Sequence, residues 1–268
     1  MQSEHKSQLP AALRGLVDII ESAAGAEIEV QCGVSRIDAS SPTAMLGEIS
    51  LGSPVRITLF CPQGTGAIQR QYPEPYATFC HELLHLRRTF VERIPAIYQI
   101  AGMAYGPTEN HPRYTAECLQ MFSVRGLEMA LEHMVIEPQV AEYGIGFVPY
   151  FIGVEAWKTV PARPWKHEVL QRWLCMDAWI KTQFLTPDER AREDAERVME
   201  RVGLLADARR FTDQLRQLRA APDGVRAKEA MCLAACAAFR ISPADMGLLY
   251  HLRPGNNVLR SIPPSAHQ

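Results

Sequence analysis

The chain has 268 residues, 47% of them hydrophobic, with 28 Lys and Arg against 30 Asp and Glu and a formal net charge of −2. That length allows one substantial core or two smaller ones. The near-neutral balance excludes a global electrostatic pull toward nucleic acid or an anionic membrane, so any partner is recognised locally.

Seven cysteines, at 32, 61, 80, 118, 175, 232 and 236, are odd in number and show no CxxC spacing, so they read as reduced thiols. Glu4, Lys6, Arg14, Asp18 and Glu21 interrupt any apolar leader, and no run reaches the roughly 18 apolar residues of a spanning helix. The expectation is a cytoplasmic protein with neither nucleic acid nor membrane as partner.

From the N-terminus, residues 9–24 place Leu13, Leu16, Val17, Ile19 and Ile20 among charges and end at Gly25, the pattern of an amphipathic helix. The period then changes to two in Glu27–Val34, a half-buried strand. Met45–Leu51 and Val55–Phe60 read as two more strands, joined by a hairpin-like turn at Gly52-Ser53-Pro54. Beyond Gly66 the chain reads as helical. Pro73 and Pro75 open a helix that Pro95 breaks, and Gly106-Pro107 and His111-Pro112 mark a long connection. A second helix is expected from about Ala116 to Ile136, stopped by Pro138. An apolar aromatic loop region covers 144–164. Further helices are expected over Trp165–Leu185 and Asp188–Leu218, the latter an exposed face with intrahelical ion pairs. Ser242-Pro243-Ala244-Asp245 reads as the capped start of a last helix.

The helix between Pro75 and Pro95 contains Thr78-Phe79-Cys80-His81-Glu82-Leu83-Leu84-His85-Leu86-Arg87-Arg88. His81 and His85, four apart, stand about 40° apart and about 6 Å along the axis, so two imidazoles can reach one ion. Catalytic zinc takes three protein ligands and a water whose pKa falls to about 7, and Glu82 is placed to accept that proton and pass it to a leaving amine. Chance supplies on the order of 0.01–0.02 such matches in a chain of this composition. With His81 at 0°, Phe79, Leu83, Leu86 and Phe90 fall between roughly 140° and 200°, so the helix is expected to bury one face and offer the other. The preceding strand, Val55–Phe60, offers an edge for an extended peptide. Cys80, about 100° from His81, and the Cys232/Cys236 pair in the Ala-rich segment read as core residues, as do Trp157, Trp165, Trp173 and Trp179.

With Thr78 three before the first His, Phe79, Leu83 and Leu84 uncharged and Leu86 apolar, the segment resembles the zincin metallopeptidases over about residues 55–140. Arg87 departs from the family pattern, which has an apolar residue there. The stretch after His85 lacks the Gly and third His of the HExxHxxGxxH type, so the likeness is to the glutamate-type (gluzincin-like) zincins, whose third ligand is a Glu on a separate downstream helix. The polar cluster there is Leu131-Glu132-His133-Met134-Val135-Ile136-Glu137. Helix geometry does not separate Glu132 from His133, which flank the polar face on opposite sides. The resemblance implies Glu132 as ligand with His133 as a catalytic hydrogen-bond donor; the reverse, His133 as ligand supported by Glu137, stays open. Tyr143, Tyr150 and His111 are candidate oxyanion donors.

These readings combine into an α+β protein. A small antiparallel or mixed N-terminal sheet with a zincin-like helix pair forms a metallopeptidase core over 1–150, followed by a mainly helical part over 151–268, as a separate domain or packed on the core. The expected function is hydrolysis of a peptide or protein substrate with one zinc per chain, held by His81, His85 and Glu132, with Glu82 and His133 catalytic. The alternatives are a catalytically silent sensing or scaffolding module and a zinc hydrolase of other amide or ester bonds.

Overall fold

The computed structural model describes residues 7, 9–34, 47–61, 77–99, 128, 131–143, 168–185 and 189–262. It is a mixed α+β structure, mostly helical with small sheets. It divides into two compact units, one of Met1–Pro95, Val135–Pro149 and Tyr250–Val258, the other of Ala96–Met134, Tyr150–Leu249 and Leu259–Gln268. The division is discontinuous in sequence and passes through the middle of one continuous helix, residues 131–140.

In the first unit, helix α1 (Ala11–Ala24) buries Leu13, Leu16, Val17, Ile20 and Ala24 at helical spacing and ends on Gly25 at φ +67, a conformation glycine adopts without a Cβ penalty. Strand β1 (Ile28–Val34) runs parallel to β3 (Val55–Cys61), and β2 (Gly47–Ser50) pairs antiparallel on the other side of β3, giving the order β1-β3-β2. The expected alternation holds in β3: Val55 and Ile57 are fully buried, while on the other face Arg56 pairs with Glu29 and Thr58 accepts from Gln31. Because β3 is central, its edges are already paired along β1 and β2. The expectation that it offers an edge to a peptide is therefore corrected.

Helix α2 (Ala77–Leu86) carries the histidine motif and passes into a π turn, Arg87–Val91, closed by the Glu92 amide donating to the Arg87 carbonyl at 3.0 Å. The chain then leaves the helix through Arg93 at φ +58, two residues ahead of Pro95. Phe79, Leu83, Leu84, Leu86 and Phe90 join the α1 and sheet residues in one cluster, completed by Ile136 and Val140. Those two lie on helix α3 (131–140), which continues through Pro138 where a stop was expected. A proline inside a helix costs about 3 kcal/mol, and Ile136 and Val140, both fully buried, each return about 1.5–3 kcal/mol. Burial on both sides of the proline offsets the lost bond.

In the second unit, helices α4 (Glu168–Leu185), α5 (Glu189–Arg201), α6 (Leu205–Arg219) and α7 (Gly224–Phe239) follow one another. The single helix expected over 188–218 is two. Gly203 at φ +73 ends the first, with the Gly203 amide bonded to the Glu200 carbonyl and the Leu204 amide to that of Met199, a Schellman closure. Trp179 Nε1 donates to Thr212 Oγ1 at 2.7 Å, and Arg172 reaches both the Ala238 carbonyl and Asp207 at 2.9 Å.

The last expected helix is replaced by a 3-10 turn, Pro243–Asp245, and a hairpin of β5 (Met246–Arg253) and β6 (Asn256–Ser261). Ser242 Oγ does cap the turn, accepting from the Ala244 amide, but β5 pairs antiparallel with β4 (Ala96–Gln99) from Leu249 to Met246, and non-local pairing overrides the local cap. Strand β4 was not expected. Among the described residues no helix is long and apolar enough to cross a membrane. The loop 144–164, the connection at 106–112, and His111, Tyr150, Trp157, Trp165 and the side chain of Trp173 lie outside the described residues.

Candidate metal centre

Helix α2 is buried on nearly all sides. Its apolar stripe packs as expected, but His81 (5% exposed) and Glu82 (8%) are covered as well, and His85 is half-buried. The polar face is therefore not offered to solvent, and burial of such groups needs a compensating partner.

That partner begins with α3. Glu137 Oε1 lies 3.3 Å from His81 Nδ1, both side chains 7% exposed. A carboxylate there selects the tautomer with its proton on Nδ1 and makes Nε2 the nitrogen whose lone pair can bind an ion. His85 Nε2 is 3.2 Å from His81 Nε2, the rings meeting at 75° with centroids 4.9 Å apart. Two nitrogens each about 2.0–2.1 Å from a tetrahedral zinc are about 3.3–3.4 Å apart, so the two rings stand at the spacing a shared ion requires. Thr89 Oγ1 donates to the His85 carbonyl at 2.9 Å, tying His85 to the π turn. Such turns recur at functional sites.

His133 lies one turn before Glu137 on the same continuous helix and so faces the same way. One ring nitrogen from each of His81, His85 and His133 lies within 4.8 Å of the other two. Glu132 is not in this group. Its carboxylate is held by Lys228 Nζ, which also binds Glu128 Oε1 at 2.7 Å, and Glu128 Oε2 accepts from the Ile97 amide at 2.9 Å. One carboxylate is thus committed to an ammonium while the adjacent imidazole turns to the other histidines.

The electrostatics fit a cation. Burial opposes the charged form of His81, but Glu137 and Glu82 outweigh it and raise its pKa. Burial raises the pKa of Glu82, with His81 lowering it and Glu137 raising it further, and burial likewise raises that of Glu137 against the pull of His81. A divalent ion among the imidazoles would favour the ionised carboxylates that burial alone disfavours. Three imidazole nitrogens are a known catalytic zinc set, with a carboxylate behind one of them.

Several other sequence candidates have ordinary surroundings. Tyr143 is half-buried against the first core, and Cys80, Cys175, Cys232 and Cys236 are free and buried. Arg87, where the family pattern is apolar, points to Glu92 Oε1 at 3.0 Å. Two residues escaped sequence reading in their actual roles. Glu137 lies against His81; its position four after His133 was the available signal. Lys228 sits on the stripe of Met231, Cys232, Ala235 and Phe239, all buried, where a lone Lys among apolar residues marks a buried charge. The chain matches no protein-family profile, no curated protein and no solved structure.

Proposed function

We propose that the chain is a zinc-dependent metallopeptidase in which His81, His85 and His133 hold the ion and Glu82 is the general base. The observation that carries this reading is the approach of His81 and His85 Nε2 to 3.2 Å with Glu137 behind the His81 ring. A core helix that merely happened to contain two histidines has no need of a buried carboxylate orienting one of them. The helix pair α2–α3 then takes the place of the zincin pair, with a histidine where the glutamate type has Glu.

Zinc, when bound, polarises a carbonyl and lowers the pKa of a coordinated water to about 7. Glu82 follows His81 directly, is buried, and has a pKa raised toward the working range of a base, so its carboxylate can accept a proton and deliver it to a leaving amine. Glu137 holds the His81 proton on Nδ1. Peptide bonds as the substrate class rest on the resemblance of 78–86 to the zincin motif. A cytoplasmic setting belongs to the same proposal and is supported by the free thiols of Cys80, Cys175, Cys232 and Cys236, which a reducing compartment maintains.

The test is Glu82→Gln assayed on a fluorogenic peptide library and on unfolded casein. The variant should retain zinc and lose turnover by at least about a hundredfold, within the range general-base removal gives. Turnover equal to the wild type would sink the assignment, and a zinc-loaded wild type that cleaves esters or other amides but no peptide would move the substrate class.

A further inference from the structure

The second unit contains a buried ion network that the proposed chemistry does not use. Lys228 is 2% exposed on α7 and its ammonium contacts two carboxylates, Glu132 and, one turn earlier, Glu128. Glu128 also receives the Ile97 amide from β4. The network thus fixes the start of α3 from two directions, through α7 and through β4. Glu132 precedes His133 directly, so locking the Glu132 carboxylate sets the rotation of the turn that presents the His133 ring.

Bury a lysine with two glutamates and the desolvation cost is several kcal/mol per ion. An apolar trio of the same volume would cost less, so stability alone gives this arrangement little reason to exist. We propose that Lys228 is a positioning residue for the third metal ligand: by engaging Glu132 and Glu128 it keeps the glutamate out of the coordination sphere and holds His133 in it. The inference rests on the three-histidine reading given above, and names what enforces it.

The test compares wild type, Lys228→Met, Glu132→Ala and the double variant in three measurements. These are zinc affinity by chelator competition, the visible spectrum of the cobalt(II)-loaded protein, which reports coordination geometry, and thermal unfolding without metal. Lys228→Met leaves two carboxylates without their shared cation, which endangers folding. Glu132→Ala leaves one ammonium to one carboxylate, a balanced pair that protects the fold. Each folded single variant should bind zinc about 10–100-fold more weakly, as loss of a ligand's support typically does, and should shift the cobalt bands. The double variant should be no weaker than either single, because both sever the same link. Unchanged affinity and unchanged cobalt bands in folded Glu132→Ala overturn the proposal while leaving the metal site standing. Complete loss of zinc in Glu132→Ala also overturns it, by making Glu132 a ligand. A wild type that takes up no zinc overturns the proposal and the metal reading together.

Discussion

Replacing Glu137 by Gln separates support of a metal ligand from support of the fold. The carboxylate lies 3.3 Å from His81 Nδ1, in ion-pair contact, with both side chains almost wholly covered. Gln keeps the volume and an acceptor oxygen but removes the charge. A hydrogen bond to a charged group contributes about 1.5–3 kcal/mol and a neutral one about 0.5–1.5, so the substitution removes about 1–1.5 kcal/mol from the oriented, electron-rich imidazole. That corresponds to roughly tenfold in zinc affinity, the lower end of what such supporting groups give. Without metal the sign differs, because burial already raises the Glu137 pKa and disfavours its charge; the metal-free variant should be no less stable than wild type by more than about 1 kcal/mol. Chelator competition gives the affinity, and thermal unfolding with and without a fixed zinc excess gives the linked stabilisation, which should fall by about 1.4 kcal/mol per tenfold. Zinc affinity within about twofold of wild type, far short of the expected loss, would refute the reasoning, since Glu137 would then not act through His81.

Four further substitutions concern the scaffold. Thr212→Val removes the acceptor of the buried Trp179 Nε1 and should destabilise by about 1–3 kcal/mol in urea unfolding, with altered tryptophan fluorescence; an unchanged midpoint contradicts it. Arg172→Met breaks the contacts to Asp207 and the Ala238 carbonyl and should cost about 2–4 kcal/mol. The same Arg172 bond is the main reason the Asp207 pKa is lowered; a depressed carboxylate pKa contributes stability above its unfolded value of about 3.9, lost as pH falls through the folded value, so Asp207→Asn should flatten that acid limb. Gly203→Ala, at φ +73 with open space where the Cβ would lie, should cost about 1–2 kcal/mol from backbone strain alone, and a stabilised variant would show that the turn is not strained.

The local patterns were the legible part of the sequence. The period-two run of β3, the stripe of α1 and the apolar stripe of α2 are each read from neighbouring residues, and all three appear in the structure, whereas the solvent-facing side expected of α2 is covered. What escaped depends on partners far along the chain. Met246–Arg253 carries a correct cap just before it, yet becomes a strand because β4 lies ready to pair. Pro138 reads as a stop only when Ile136 and Val140 are not known to be buried together. The same holds at the site: spacing places His81 and His85 on one face, but the contact that engages Glu132 comes from Lys228, almost a hundred residues away. The contacts of Glu137 and Lys228 leave only faint signals in the sequence, a Glu four after His133 and a lone Lys on an apolar stripe, because a buried charge is recognised by what lies opposite it.

Whether three histidines hold one zinc is decided by metal content from equilibrium dialysis together with X-ray absorption of the loaded protein. One zinc per chain is expected, with three nitrogen ligands at about 2.0–2.1 Å, lost in His81→Ala, His85→Ala and His133→Ala. Wild-type protein that binds no zinc, or that keeps its zinc unchanged in His133→Ala, would contradict it.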